Sequence, residues 1–349
     1  MKVGLTFNEK EEDPGGQFPP DEFLEWDDAE TIQAIAGALR RSHEVVLIEA
    51  GPFCAQRLKK ERPEVVFNIA EGRSGPFREA EVPALLESLG LPYTGSGPQT
   101  LSNALDKSRT SRLLRQSGIP TPDFIVCDSP QITLNGLHFP LIVKPLWEGS
   151  SKGIPDNSVV DNRLALDEAI QRIRERYHQP AMVESYLEGR EFTLALLGNG
   201  SDLRVLPIVE IDFAALPANA HPIYSFEAKW VWDTPQSPLK LFVCPAKVSE
   251  DLRHRLESIA KQTFQVLGCR DWCRIDVRLD CSGEPRVLEA NPLPGILPRP
   301  EQNSCFPKAA RASGLSYEDL IEEVLQIACQ RYGLKNARTD RHSIRQFGS

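Results

Sequence analysis

The sequence predicts an α/β N-terminal domain on a parallel sheet, followed by a larger α+β region on antiparallel sheets. Three observations carry that prediction. The first hundred residues alternate short apolar runs with a strongly helical stretch, the β-α-β order that makes neighbouring strands parallel. From about residue 181 the apolar runs alternate with polar residues, as half-buried antiparallel strands do. A chain of 349 residues exceeds one ordinary core, so two or three compact units are expected.

Taken in order, residues 2–7 are an apolar strand, and Ile32, Ile35, Ala36 and Leu39 recur at helical spacing over 28–41. Strands follow at 44–48 and 65–69, then a helix over 83–90 that Gly90 stops. A short strand at 91–94 and a Gly95-Ser96-Gly97-Pro98 turn close a first domain near residue 103. A second unit, 104–185, opens with a helix over 105–117 closed by Gly118 and the prolines at 120 and 122. It continues with a strand at 141–144, a loop to Pro155, a helix over 163–177 and a strand at 181–186. A third, 186–334, holds strands at 192–197, 204–213 and 239–243, a helix over 250–267, strands at 274–279 and 286–290, and a helix over 317–332. Residues 335–349 form a polar tail.

Composition excludes several functions. A net charge of -9 leaves no basic face able to neutralise the phosphates of a duplex. No run approaches membrane-spanning length and the N-terminus carries no apolar leader, so a cytoplasmic protein is expected. Cys269 and Cys273 are spaced C-x3-C without a second pair or a histidine pair, which favours reduced, mostly buried thiols over zinc. Any metal should therefore sit on oxygen ligands. No GxGxxG follows the first strand, and the Walker A pattern is missing.

Three clusters carry chemistry. In Arg274-Ile-Asp276-Val-Arg278 and Val287-Leu-Glu289-Ala-Asn291, alternation puts Arg274, Asp276 and Arg278 on one strand face, and Glu289 with Asn291 on the next. A tight two-residue turn at Ser282-Gly283 would set Asp276 opposite Glu289 and Arg274 opposite Asn291. Facing carboxylates repel unless a cation lies between them, and carboxylate with amide oxygen suits magnesium. A solvated polar hairpin face is the competing reading. The stretch from Lys144 through Glu148-Gly149-Ser150-Ser151-Lys152-Gly153 follows a strand, where small residues let backbone N–H groups curl around phosphate; an ordinary surface turn has the same composition. In Glu184-Ser-Tyr186-Leu187-Glu-Gly189-Arg-Glu191, Glu184 ends a strand where a purine amine could be read, and Glu191 begins the next beside a ribose hydroxyl or a metal.

Together with Lys107, the Y-S-F-E-A-K-W stretch from Tyr224 to Trp230 and L-E-A-N-P-L-P-G ending at Gly295, these clusters resemble the D-alanine:D-alanine ligases of the ATP-grasp superfamily. The likeness runs in one order from about Val65 to Ala328. It implies an N-terminal α/β domain followed by an ATP-grasp fold of two α+β subdomains, which clasp ATP between antiparallel sheets, and a homodimer. By that resemblance Lys107 and Lys144 hold ATP phosphates, and Glu184, Tyr186, Leu187 and Glu191 surround adenine and ribose. The loop with Glu148, Ser150 and Ser151 is a lid over the γ-phosphate, which Lys229 also contacts. Asp276, Glu289 and Asn291 bind two magnesium ions, with manganese as a substitute, and Arg274 with the Gly295 N–H steadies an oxyanion. Glu71, Tyr224, Trp230, Arg274 and Ser304 face small amino-acid substrates.

Departures concentrate in the amino-acid pocket. The family's G-G-x-S-x-E stretch, whose glutamate grips the first ammonium, is replaced by Asn8 to Gly16, leaving Glu9, Glu11 and Glu12 as alternatives. Glu71 stands where the family has histidine, Trp230 where it has tyrosine, and the segment from Ile296 to Ser304 is longer. The expected activity is an ATP-dependent ligase that joins two small amino acids through an acyl phosphate, acting on D-alanine or on specialised-metabolite substrates. A kinase stopping at the phosphorylated acid, or a nucleotide-binding regulatory protein without turnover, remains the alternative.

Overall fold

Strand β1 (Lys2–Phe7) is the middle of a parallel sheet ordered β2-β1-β3, with β2 at Glu44–Glu49 and β3 at Val65–Asn68. The computed structural model describes residues 1–10, 21, 23–233 and 239–334. Helix α1 (Ala29–Arg40) starts where the Asp28 carboxylate accepts the Thr31 N–H at 2.7 Å, satisfying one free donor of the first turn. Its Ile32, Ile35 and Leu39 pack with Val3, Leu5 and Phe67. Helix α2 (Cys54–Glu61) was not expected, because only Cys54 and Leu58 are buried and two apolar positions make no visible period.

Helix α3 (Glu81–Ser88) agrees with expectation, whereas the strand at 91–94 shrinks to a single bridge between Val66 and Tyr93. The expected turn and the single helix over 105–117 become α4 (Pro98–Leu105) and α5 (Lys107–Gln116). Pro98 occupies the first helical position, where its missing N–H is harmless. Asp106 breaks the run with an extended ψ of 98° and caps α5 through the Arg109 N–H at 3.0 Å.

A second, antiparallel sheet has the order β4-β7-β5-β6. It contains β4 (Phe124–Cys127), β5 (Leu141–Pro145), β6 (Val159–Val160) and β7 (Ala181–Ser185), and α6 (Arg163–Tyr177) covers it with Leu166, Ile170 and Ile173. Neither β4 nor β6 was expected; four and two residues are too short to display a period.

The third sheet contains β8 (Glu191–Leu197), β9 (Arg204–Val205), β10 (Val209–Ile211) and β11 (Phe242–Val243). It is completed by β12 (Trp272–Leu279) and β13 (Pro285–Asn291) in the order β11-β10-β8-β12-β13, with β9 on β8. The continuous strand expected over 204–213 is therefore interrupted, at Pro207, which has no N–H for a ladder, and ends in a 3-10 turn at Phe213–Ala215. The strand expected at 239–243 is reduced to β11. Helix α7 (Glu250–Val266) lays Leu252, Leu256, Ile259 and Phe264 on this sheet. Helix α8 (Cys305–Ala312), also unforeseen, and α9 (Tyr317–Arg331) return the chain to the first sheet. There Leu320, Ile321 and Val324 share a core with α1, and buried Trp272 meets Phe67 and Phe306 edge-on at 5.8 and 5.6 Å. The polar tail from residue 335 lies outside the described residues.

Candidate active site

The β12-β13 register brings Asp276 opposite Glu289 and Arg274 opposite Asn291, as expected, but by a different route. The Asp280 N–H donates to the Glu284 carbonyl and the Gly283 N–H to the Asp280 carbonyl, both at 2.9 Å, so the turn has three residues rather than two. Gly283, at φ 80°, takes the left-handed position such a loop requires. That extra residue would slip the pairing by one. A β-bulge between Asp276 and Val277 restores it: Val277 pairs with Val287, Asp276 with Glu289, and Leu288 takes up the surplus. As a result Leu288 and Glu289 both reach the cleft while Val287 and Ala290 stay in the core.

At this end of the hairpin the Arg274 guanidinium lies between the acids, with Nη2 2.9 Å from Asp276 Oδ2 and 3.2 Å from Glu289 Oε1. The Thr193 hydroxyl donates to Asp276 Oδ1 at 2.7 Å, and the Asn291 amide lies 3.2 Å from Glu289 Oε1. Burial pushes the Glu289 carboxyl up, yet Lys107, Arg274 and the Asn291 amide outweigh it and hold its pKa down to about 2. Asp276 moves the other way: burial and the neighbouring Glu289 charge raise it despite Arg274. Two carboxylates and an amide converging with one guanidinium form an oxygen donor set that fits a hard dication such as Mg2+ or Mn2+.

Facing this hairpin across the cleft, the Lys144 ammonium at the end of β5 binds Glu184 of β7 at 2.5 Å. Burial disfavours the ammonium, but Glu184 more than offsets it, and the Lys144 pKa stands above the usual lysine value. Lys107, the first residue of α5, donates to the Glu148 carbonyl. Arg278 gathers Glu191 at 3.1 Å and the Tyr186 hydroxyl at 3.2 Å, with Leu187 on the same wall. Burial raises the Glu191 carboxyl even beside that guanidinium.

The 148–153 loop is held on three sides. The Gly149 N–H donates to Glu25 at 2.7 Å, the Ser151 hydroxyl to the Tyr224 carbonyl at 2.7 Å, and the Trp230 indole to the Ser150 carbonyl at 3.0 Å. Ser150 and Ser151 sit at φ 53° and 59°, a left-handed conformation that non-glycine residues keep only where neighbours enforce it. Trp230→Phe keeps the packing and removes one hydrogen bond, worth about 1 kcal/mol, so the KM for ATP is expected to rise roughly fivefold. An unchanged KM in steady-state kinetics would show that the loop needs no such tether.

Lys229 borders both recesses together with Glu148 and Ser150 of the loop, and burial, aided by Arg274, lowers its pKa to about 8. Tyr224 packs edge-on against Phe242 at 5.3 Å, and burial raises its phenol well above normal. The Ser304 hydroxyl accepts the Leu297 N–H at 3.2 Å and donates to the Gly295 carbonyl at 3.1 Å, which closes the lengthened segment into a turn. Apart from the alternatives for the N-terminal glutamate, every candidate residue borders one of two adjoining recesses: Glu71 and Asn291 the inner one, the remainder the larger outer one, of about 240 Å³, or both. Glu25, Asp27, Glu79 and Leu288 border the same space and were not anticipated, since they carry no motif and meet only through the fold. Of the candidate replacements for the family's N-terminal glutamate, Glu9 is exposed, and Glu11 and Glu12 lie outside the described residues.

The family model for the D-ala D-ala ligase C-terminus matches residues 113–326, more than half of the chain. An uncharacterised Sinorhizobium fredii protein is 36% identical over 326 residues, covering 91% of this chain and 93% of its own. The D-alanine–D-alanine ligase of Mannheimia succiniciproducens is 33% identical over 304 residues, covering 84% of this chain and 91% of its own. The solved D-alanine–D-alanine ligase from Bacillus anthracis complexed with ATP superimposes with a TM-score of 0.71, covering 95% of this chain and 99% of that one. At 23% identity this likeness establishes the fold, an ATP-grasp built behind an N-terminal parallel sheet. A fold, a family model over residues 113–326 and relatives matched along nearly their whole length agree, and the chain belongs to the D-alanine–D-alanine ligase family.

Proposed function

We propose that the protein is an ATP-dependent carboxylate-amine ligase joining two small amino acids through an acyl phosphate. The observation that carries this reading is the meeting of Asp276, Glu289, Asn291 and Arg274 at the edge of a recess whose opposite wall presents Lys107, Lys144 and Lys229. ATP supplies the phosphoryl group, and two Mg2+ ions, or Mn2+, neutralise its oxygens. Lys144 and Lys107 exchange Glu184 and the Glu148 carbonyl for phosphate oxygens, and Glu184, Tyr186, Leu187 and Glu191 hold adenine and ribose. Glu148, Ser150 and Ser151 close over the transferred group and exclude water, with Lys229 beneath. Arg274 and the Gly295 N–H bind the oxyanion formed when the amine attacks. Tyr224, Trp230 and Ser304 position that amine, and Glu71 faces the acid. Phosphoryl transfer asks the protein for in-line positioning and charge neutralisation more than for covalent chemistry, and these residues supply both.

The test is condensation with a panel of D- and L-amino acids, read by mass spectrometry alongside ADP release. ADP and a condensed product are expected only when both an acid and an amine are present. Acyl phosphate trapped by hydroxylamine without any condensed product would make the protein a kinase. ATP binding without turnover would make it a nucleotide-dependent regulator.

A further inference from the structure

The inner recess contains carboxylates in excess of the charges that could balance them. Asp27, Glu71 and Glu79 border it, and none of the three carboxylates makes a hydrogen bond or ion pair with another described residue. None of the basic groups nearby pairs with these three acids: Lys229, which also borders the recess, lies over the Trp230 ring, 5.2 Å from its centre. Arg78 binds Glu25 at 2.6 Å and lies 3.8 Å from Glu148; Lys107 is turned to the Glu148 carbonyl, and Arg274 to Asp276 and Glu289. Lys10 lies over the Trp230 ring, 5.5 Å from its centre. Burial and mutual repulsion raise Glu71 well above the usual carboxylate range, and burial raises Asp27 and Glu79 to about 7.

Unpaired carboxylates inside a protein are costly and hold protons unless a cation enters, so the recess favours a cationic occupant. A further metal ion, beyond those assigned to Asp276, Glu289 and Asn291, is disfavoured at these acids: among the described residues no three His, Cys, Asp or Glu side chains approach closely enough to hold one. The acids are thus spread around a volume, and that volume is about 120 Å³. An engineered cavity of about 150 Å³ accepts benzene, so this one suits a single small organic molecule and not a peptide. The α-ammonium of an ordinary amino acid answers one of the three acids and leaves two unmatched. Resting on the ligase reading above, we propose that the acid activated here is a short diamino acid, whose α-ammonium and side-chain ammonium are shared among Asp27, Glu71 and Glu79.

The experiment compares 2,3-diaminopropionate and 2,4-diaminobutyrate with alanine and 2-aminobutyrate, each enantiomer, as the acid, with fragmentation of the product to assign its position. The wild-type enzyme is expected to favour a diamino acid at the N-terminal position by at least about tenfold in kcat/KM, the ratio that one added ion pair of about 1.4 kcal/mol provides. Glu71→Gln should shrink that ratio by about tenfold, and Glu79→Gln serves as a second variant should the first fail to fold. Alanine used as well as either diamino acid, or a preference that survives both substitutions, overturns the proposal. Absence of condensation with every acid overturns the ligase reading and this proposal with it.

Discussion

Asp276→Asn and Glu289→Gln are each expected to lower turnover by about 10²–10³-fold or more, with ADP release as the measurement and circular dichroism as the check on folding. Each substitution preserves shape and removes one unit of negative charge from a site with a single guanidinium between two acids. The remaining acid and Arg274 then neutralise one another, and the attraction for a dication disappears. Wild-type turnover from both variants would refute the assignment of this hairpin end to metal binding.

The same two variants should differ in stability, with opposite signs. Glu289 has a depressed pKa, so its ionised form favours the folded state; that contribution is complete above the ordinary glutamate range and is lost as pH falls toward about 2. Asp276 has a raised pKa, so its charge opposes folding near neutral pH. In metal-free buffer at pH 7, Glu289→Gln should melt below the wild type and Asp276→Asn at or above it. The Glu289→Gln deficit should shrink as pH is lowered through 4. A deficit that grows on acidification would reverse the assigned electrostatics.

Legibility in the sequence followed the range of the interaction. The β12 and β13 faces were readable because alternation is local, and the order of the clusters identified the family. The pairing of Asp276 with Glu289 was anticipated from a turn that does not exist. It holds because a three-residue loop and a bulge at Leu288 cancel, and one residue's displacement in either would have flipped the acids to the other face. Short elements such as α2, β4 and β6 gave too few apolar positions for a period to emerge. Glu71 was visible as a departure from a family pattern, but its significance was not. Asp27 precedes α1 and Glu79 precedes α3, so the charge of the inner recess exists only once the parallel sheet has brought those segments together.

Arg274→Ala is expected to separate the two tasks of that guanidinium. As a donor to the developing oxyanion, its loss should lower kcat by about 10²–10³-fold. As the cation lying between Asp276 and Glu289, its loss leaves two neighbouring acids facing each other. Removing one partner of a fully buried ion pair costs about 3–5 kcal/mol, and here about 2 kcal/mol is expected because the Arg274 side chain keeps 24% of its surface exposed. Magnesium without nucleotide distinguishes this from general damage to the core. In the wild type the guanidinium competes for the same oxygens, so added Mg2+ should raise Tm little. In the variant the uncompensated acids should bind Mg2+ more tightly, and the Tm should recover part of its loss, because a ligand held only by the folded state stabilises it in proportion to its affinity. A variant that melts like the wild type in chelator, or whose Tm ignores magnesium, would show that Arg274 does not balance this pair and that the charge of the site is neutralised elsewhere.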